Sequence, residues 1–144
     1  MPQLIDYIDA IARKKNRDVL YVVFEPVPGS TKDVLSWAEY FDWENHTSRQ
    51  AIIHWLEENG IAWKPCAGFA KVNHIPSYRG QIYIDLPFDR SLAAYKQLES
   101  FLENLDGSMR LPGATFAYLP LEMAMKNAEH DEKGFWDRWA DDFL

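Results

Sequence analysis

The hydrophobic pattern at the start of the chain predicts a helix followed by a strand. Leu4, Ile8 and Ile11 recur at helical spacing, so an amphipathic helix is expected over residues 3–15. The next apolar run, residues 19–24, is rich in β-branched and aromatic side chains and is apolar on both faces. We therefore expect this run to form a central strand of a sheet.

The middle of the chain predicts one well-bounded helix. Thr47 and Gln50 have the spacing of a capping box, and Asn59 and Gly60 are typical of a helix C-terminus. A shorter helix is expected over residues 34–41, after a segment broken by proline and glycine.

Two strands of different pattern are expected next. Residues 61–72 are extended but interrupted by Pro65 and Gly68, as in an edge strand with a bulge. Residues 81–86 alternate along the chain and predict a second strand. Its two faces are expected to carry, respectively, Ile82, Ile84 and Leu86, and Gln81, Tyr83 and Asp85.

The last third of the chain predicts a helix, a strand and two helical segments. Asp89 is expected to cap a helix over residues 90–105, and residues 115–119 are predicted to form a short strand. Helical segments over 120–128 and 135–144 follow. The inward-facing side chains of the first helix are expected to be Leu92, Tyr95, Leu98, Phe101, Leu102 and Leu105.

The order of these elements indicates a single α+β domain over residues 1–144. Between residues 18 and 120 it is strand, helix, strand, strand, helix, strand, which is the ferredoxin-like split βαβ (βαββαβ) arrangement. An N-terminal helix over 3–15 and a C-terminal helical segment over 120–144 would be added to this core.

Composition places the protein among soluble, acidic domains. The chain has 144 residues and a net charge of −7, and residues 25–60 hold seven acidic residues against two basic ones. Such a surface repels phosphate backbones and suits a basic partner. The single Cys66 fits a reducing compartment, and neither a signal peptide nor an apolar run of about 20 residues is present, so a cytoplasmic location without membrane contact is expected.

The sequence offers no catalytic constellation. The four histidines lie at positions 46, 54, 74 and 130, without the spacing of a metal site. No glycine-rich phosphate loop and no Gly-x-Ser-x-Gly motif occurs. We therefore expect no catalytic residues, no metal and no cofactor, and an enzyme is the less favoured alternative.

Two stretches combine acidic and aromatic residues and predict a surface that binds a protein partner. One covers residues 37–44, and in the other, over 135–144, large aromatic residues recur at four-residue spacing on one helical face. The predicted partner-binding residues are Trp37, Tyr40, Trp43, Phe135, Trp136, Trp139 and Phe143. The alternative is that these side chains pack against their own domain.

The predicted sheet suggests a second surface. If the helices lie on one side, the other face of the sheet is open and is expected to present a candidate ligand-binding set: Tyr21, Arg79, Gln81, Tyr83 and Asp85. The segments 20–23 and 79–84 resemble the two short motifs of the RNA-recognition-motif family. That resemblance implies that Tyr21 and Tyr83 stack on bases and that Arg79 contacts phosphate.

Three functions follow from these patterns, in order of preference. The first is a small acidic protein-interaction module that masks a basic partner, as an immunity protein, an antitoxin or an adaptor does. The second is binding of single-stranded RNA through the open sheet face. The third is a regulatory domain or enzyme that binds a small molecule. Self-association into a homodimer is compatible with each of them.

Overall fold

A four-stranded antiparallel sheet runs through the centre of the protein. The computed structural model describes residues 5–26, 41–70 and 78–135, which form one small α+β domain. The strands are β1 (Val19–Phe24), β2 (Trp63–Pro65), β3 (Ile82–Ile84) and β4 (Ala114–Leu119). Their order across the sheet is β2-β3-β1-β4, and each neighbouring pair is antiparallel.

Four α-helices and two 3₁₀ helices surround this sheet in the part of the chain that is described. The α-helices are α1 (Ile8–Lys15), α2 (Thr47–Glu58), α3 (Ala93–Leu102) and α4 (Leu121–Ala124). The 3₁₀ helices are Trp43–Asn45 and Met125–Asp131. None of the described helices has the length and apolar character needed to span a membrane.

The larger core lies between the sheet and the helices α2 and α3. Leu20, Val22 and Phe24 project from β1 into this layer and are at most 2% exposed. They meet the apolar stripes of the two helices, including Ile52 from α2 and Leu98 from α3. The predicted central strand is confirmed, because β1 is paired on both sides and its residues form the middle of this core.

The opposite face of the sheet is covered by α1, so the expectation of an open face is wrong. Ile8 and Ile11 of α1 pack in a second core with Val19 and Tyr83 of the sheet, and Tyr83 is only 2% exposed. The reason is the amphipathic pattern of the first helix, whose apolar stripe needs a surface to cover. Because α2 and α3 cover the first face of the sheet, the apolar stripe of α1 covers the second face.

The helix α2 begins at Thr47, the residue predicted as its N-cap, and is capped by His46 instead. The Nδ1 atom of His46 accepts the N–H of Arg49 at 3.2 Å, and Gln50 donates its amide to the carbonyl of Glu44. The predicted capping box between Thr47 and Gln50 is therefore wrong. Imidazole nitrogen takes the place of a hydroxyl because His46, 4% exposed, also reaches the carbonyl of Glu25 through Nε2 at 2.8 Å.

The helix α3 is shorter than the predicted span 90–105. Asp89 does not cap it: the Asp89 carboxylate accepts the N–H and the hydroxyl of Ser91 in a tight turn, and the helix begins at Ala93. At the other end the helix stops at Leu102, so Leu105 is fully exposed rather than inward-facing. Local side-chain hydrogen bonds have overridden the apolar period here.

Other predicted elements fall at or near their expected places. The edge strand is confirmed but reduced to three residues, which end at Pro65, and β4 begins one residue earlier than predicted. The N-terminal helix begins at Ile8, and the segment after Pro120 is one turn of α-helix followed by a 3₁₀ helix. The predicted helices over 34–41 and 135–144 lie almost entirely outside the described residues.

A fully buried carboxylate connects α1 to two other segments of the chain. Asp9 has no exposed surface; its Oδ1 accepts the N–H of Ala70 at 2.9 Å. Its Oδ2 accepts Nη1 of Arg13 at 2.9 Å and the amide of Asn127 at 3.1 Å. Arg13 also forms a two-pronged contact with Asp131, and this hydrogen bond holds the pKa of Asp131 below its usual value. The network ties α1 to the C-terminal segment of the described chain.

Replacement of Asp9 should be costly. We expect Asp9→Asn to lower the free energy of unfolding by about 3 kcal/mol, because Arg13 and Asn127 would face an amide donor in a buried site. Urea denaturation measures the loss. The control is Asp6→Asn, which removes an exposed ion pair with Lys64 and should cost under about 0.5 kcal/mol. Equal effects of the two substitutions would contradict the structural role of the buried network.

A close backbone approach at Gly113 gives a second stability prediction. Gly113 has φ +72°, and a Cβ atom there would lie 2.6 Å from the carbonyl oxygen of Glu25 and 2.7 Å from Nε2 of His46. Gly60 has a similar φ of +67° with nothing within 4 Å of its Cβ position. Gly60→Ala should cost about 1 kcal/mol from backbone strain alone, whereas Gly113→Ala should cost at least about 3 kcal/mol from strain and overlap together. Urea unfolding curves of the two variants measure the difference. Similar losses in the free energy of unfolding would contradict the prediction, because they would mean that Glu25 and His46 move away from the added methyl group at little cost.

Candidate binding cleft

Most of the predicted partner-binding aromatics lie outside the described residues. These are Trp37, Tyr40, Trp136, Trp139 and Phe143. Trp43 and Phe135 are described, and both are half-buried against their own domain. The ring of Phe135 stacks on His130 with 4.4 Å between centroids. Their role in binding a partner stays a prediction.

Trp43 belongs to a cluster that packs α2 against the start of β3. Its indole meets the ring of Tyr78 at 4.8 Å, and the guanidinium of Arg49 lies 4.7 Å from its centroid. Arg49, only 8% exposed, donates to the carbonyl of Gly80 at 2.9 Å. Gly80 has φ +86°, and a Cβ there would lie 2.7 Å from Cβ of Trp43, so indole and backbone are in direct contact.

The predicted sheet-face residues form a polar network at the margin of the face covered by α1. The hydroxyl of Tyr83 donates to Asp85 at 2.8 Å, and Arg17 contacts the same carboxylate oxygen at 2.8 Å. Burial raises the pKa of Tyr83 to about 12, and the bond to Asp85 adds to the rise. Burial alone would raise the pKa of Asp85, but Tyr83 and the cations Lys15 and Arg17 outweigh it and the pKa lies below its usual value.

The other members of this set are also engaged within the domain. Tyr21 is half-buried beside the second core, and the guanidinium of Arg79 lies 4.9 Å from the ring centroid of Phe41. The side chain of Gln81 accepts the N–H of Arg79 at 3.0 Å. The structure therefore does not place these five residues together on an accessible surface, and base stacking on Tyr83 would require α1 to leave the sheet.

A cleft that the sequence did not indicate opens between α3 and β4. It encloses about 230 Å³, and four aromatic side chains line it: Phe88, Tyr95, Phe116 and Tyr118. Phe88 and Tyr118 stack with 4.4 Å between centroids, and Phe88 meets Tyr95 edge to face at 5.5 Å. Tyr118 is 48% exposed, so the cleft has an aromatic wall that is open to solvent.

Charged groups line the other side of the cleft and leave it acidic. Glu99 and Glu103 project into it from α3, and Arg90 is the cation at its rim. Burial raises the pKa of Glu103, and the negative charge of Glu99 adds to the rise. Burial likewise raises the pKa of Tyr95 to about 12, with Glu99 contributing. Two carboxylates against one guanidinium leave one negative charge unmatched.

The cleft lies beside an edge of the sheet. No described strand pairs with the outer side of β4, and the N–H of Phe116 donates outward to the Met109 sulfur at 3.4 Å. Alternation along an antiparallel strand then directs Tyr118 and residue 120 outward as well. Residue 120 is proline and has no N–H, so Tyr118 provides the remaining outward donor at this end. This edge is blunted against strand addition.

A second, wider groove runs between α2 and α3. It is lined by Trp55, Lys96, Gln97 and two further polar residues, and it encloses about 410 Å³. The indole of Trp55 is stacked on Phe101 with 4.9 Å between centroids. Its lining contains a lysine and no carboxylate, so it lacks the charge that distinguishes the cleft beside β4.

Part of the cleft left a signal in the sequence. Tyr95, Glu99 and Glu103 are spaced by four residues, which places them along one side of a helix. This spacing is present in the sequence, beside the more prominent apolar stripe of the same helix. The aromatic wall from Phe88 and Tyr118 depends on a contact between residues 30 positions apart, and no local pattern indicates it.

The rest of the described chain offers no competing chemical centre. Within residues 5–26, 41–70 and 78–135, no three His, Cys, Asp or Glu side chains are grouped so that they could hold a metal ion. The thiol of Cys66 is buried, which raises its pKa to about 12. Comparison of the chain with protein-family models, with curated proteins and with solved structures finds no match.

Proposed function

We propose that this protein is a small acidic interaction module that binds and masks a basic protein partner through the cleft between α3 and β4. The observation that supports this most directly is the pairing of Glu99 and Glu103 with an aromatic wall in one accessible cleft. Aromatic side chains supply contact area at an interface, and carboxylates select a cationic partner.

The charge of the whole chain supports the same partner. A net charge of −7 on 144 residues favours encounter with a basic surface and disfavours nucleic acid. The cleft adds a local excess of one negative charge where a partner side chain would be partly removed from water. The long-range field would speed association, and the cleft would supply the specific contact.

The alternatives have less support from the described residues. Single-stranded RNA binding relied on an exposed Tyr83, whose ring is in the second core beneath α1. A small-molecule role would use the same cleft with a cationic ligand. The aromatic stretches 37–44 and 135–144 remain proposed as further contact surfaces, and self-association through them remains an alternative to a heterologous partner.

Two finer assignments belong to this proposal. The ferredoxin-like arrangement is supported by the order β2-β3-β1-β4 and by helices that follow β1 and β3. A cytoplasmic location is supported by the single cysteine, which is free and buried. The ferredoxin-like fold occurs in proteins of many functions, so the functional proposal is argued from the cleft and not from the fold.

An affinity experiment with matched variants tests the function. The immobilised full chain is incubated with lysate of its source cells and washed at low and high salt. We expect it to retain a basic protein at low salt, and the Glu99→Gln/Glu103→Gln variant to bind that protein at least about tenfold more weakly, since two charge contacts of about 0.7 kcal/mol each are removed. The measurement is quantitative mass spectrometry, followed by titration with the purified partner.

The control is Glu57→Gln/Glu58→Gln, which makes the same change in net charge at exposed positions on α2. It should retain the partner. The cleft variant should unfold at the same or a slightly higher urea concentration, because it removes two like charges one helical turn apart. The proposal would be overturned if the cleft variant and the control bound the partner equally, or if RNA or no partner at all were recovered.

A further inference from the structure

We infer that the cleft receives a single alkylammonium group, the side chain of a lysine or of an N-methylated lysine. This inference rests on the proposed function for the source of that side chain, and it names the group that the cleft recognises. It is argued from three features of the cleft: its ring faces, its charge balance and its position beside a blunted strand edge.

The aromatic rings form one continuous cluster along the cleft. Phe88 contacts both Tyr118 and Tyr95, and the centroids of Tyr95 and Phe116 are 6.3 Å apart, so the four lining rings are linked to one another. A cation within about 6 Å of a ring face is attracted by the ring quadrupole. The Arg90 guanidinium already lies 5.8 Å from the Phe88 centroid, which shows that this ring accepts a cation.

The charge balance fits one positive charge and no more. Glu99 and Glu103 supply two negative charges, and Arg90 at the rim offsets one of them. Burial and the negative charge of Glu99 raise the pKa of Glu103, so this end of the cleft disfavours additional negative charge. A monocation would remove that imbalance, whereas an anion would add to it.

The lining favours an ammonium group over a guanidinium. A guanidinium carries its five N–H donors in one fixed plane, so it needs acceptors in that plane. An ammonium has three rotatable donors, and each N-methyl group replaces one donor by a surface that packs on a ring. Four aromatic side chains and two carboxylates line the cleft, and a methylated ammonium can contact both kinds of group at once.

The strand edge indicates that the group arrives on a side chain rather than through strand addition. The Met109 sulfur accepts the N–H of Phe116, and Pro120 has no N–H. At the C-terminal end of β4 a partner strand would therefore find Tyr118 as the remaining outward donor. A flexible lysine stem can enter past Tyr118 without any ladder. Recognition then depends on the cleft residues themselves.

The test is a titration of the ¹⁵N-labelled full chain with blocked amino acids. The probes are N-acetyl-lysine N-methylamide, its ε-trimethyl form, the arginine analogue and the neutral norleucine analogue. We expect shift changes centred on the amides of Glu99, Glu103 and Tyr118, with affinity in the order trimethyl-lysine, lysine, arginine and no binding of norleucine. A measurable effect of norleucine equal to that of lysine, or binding centred elsewhere, would overturn the inference.

Three variants make the result specific. Tyr118→Ala and Glu99→Gln should each weaken binding of the trimethyl-lysine probe by about threefold or more, since each removes a contact of about 0.7 kcal/mol. Arg90→Gln should strengthen it by a similar factor, because it removes the competing cation. If the cleft had only a structural role, Arg90→Gln would not increase the affinity for the trimethyl-lysine probe. Unchanged or weaker binding of the probe by this variant would therefore contradict the inference. Lys96→Gln in the groove beside Trp55 is the control and should change the affinity by less than about twofold.

The two proposals can fail separately. Probe binding at the cleft without capture of a basic protein would retain the alkylammonium site and overturn the interaction module. Capture of a basic protein that depends on Glu99 and Glu103, with no binding of any lysine probe, would retain the module and overturn this inference.

Discussion

Burial of β1 on both faces is the constraint on which the rest of the structure depends. A six-residue strand with apolar side chains on both sides is stable only if each side is covered. Leu20, Val22 and Phe24 meet α2 and α3, and on the other face Val19 and Tyr21 meet the layer formed by α1. Because burial of one large apolar side chain contributes about 2 kcal/mol, neither layer can be removed without a large loss of stability.

This double cover decides where the protein can bind anything. A sheet with one bare face offers that face to a ligand, but here a helix that precedes the first strand occupies it, and Asp9 fixes that helix to the C-terminal segment through Arg13 and Asn127. The accessible cavities among the described residues lie at a margin of the sheet and on the outer surface of α2 and α3. The cleft between α3 and β4 lies at the margin of the sheet, because β4 is its last described strand and α3 packs beside it.

The sequence was informative where one interaction dominates over a few neighbouring residues. It predicted β1, β4 and the end of α2 because an apolar run or a glycine at a helix terminus is a local cause with a local effect. The predicted helix caps of α2 and α3 were wrong. His46 accepts the N–H of Arg49 in place of Thr47, and Asp89 accepts the N–H of Ser91 in a turn before α3. The sequence did not indicate the covered sheet face or the aromatic wall. Both depend on contacts between distant segments, and the hydrophobic periodicity of a single element carries no information about such contacts.

The helix α3 shows how one element serves both the core and the cleft. Leu98 and Leu102 face the sheet and are fully buried. Glu99 follows Leu98 and lies about 100° around the helix axis, and Glu103 is the C-cap residue directly after Leu102. Tyr95 stands at the boundary: it is 3% exposed, yet its ring forms part of the cleft lining. The carboxylates can therefore change without disturbing the packed stripe, whereas Tyr95 cannot. Stability and charge selectivity are separable on this helix, and a surface that discriminates partners by charge can diverge while the core that supports it stays the same.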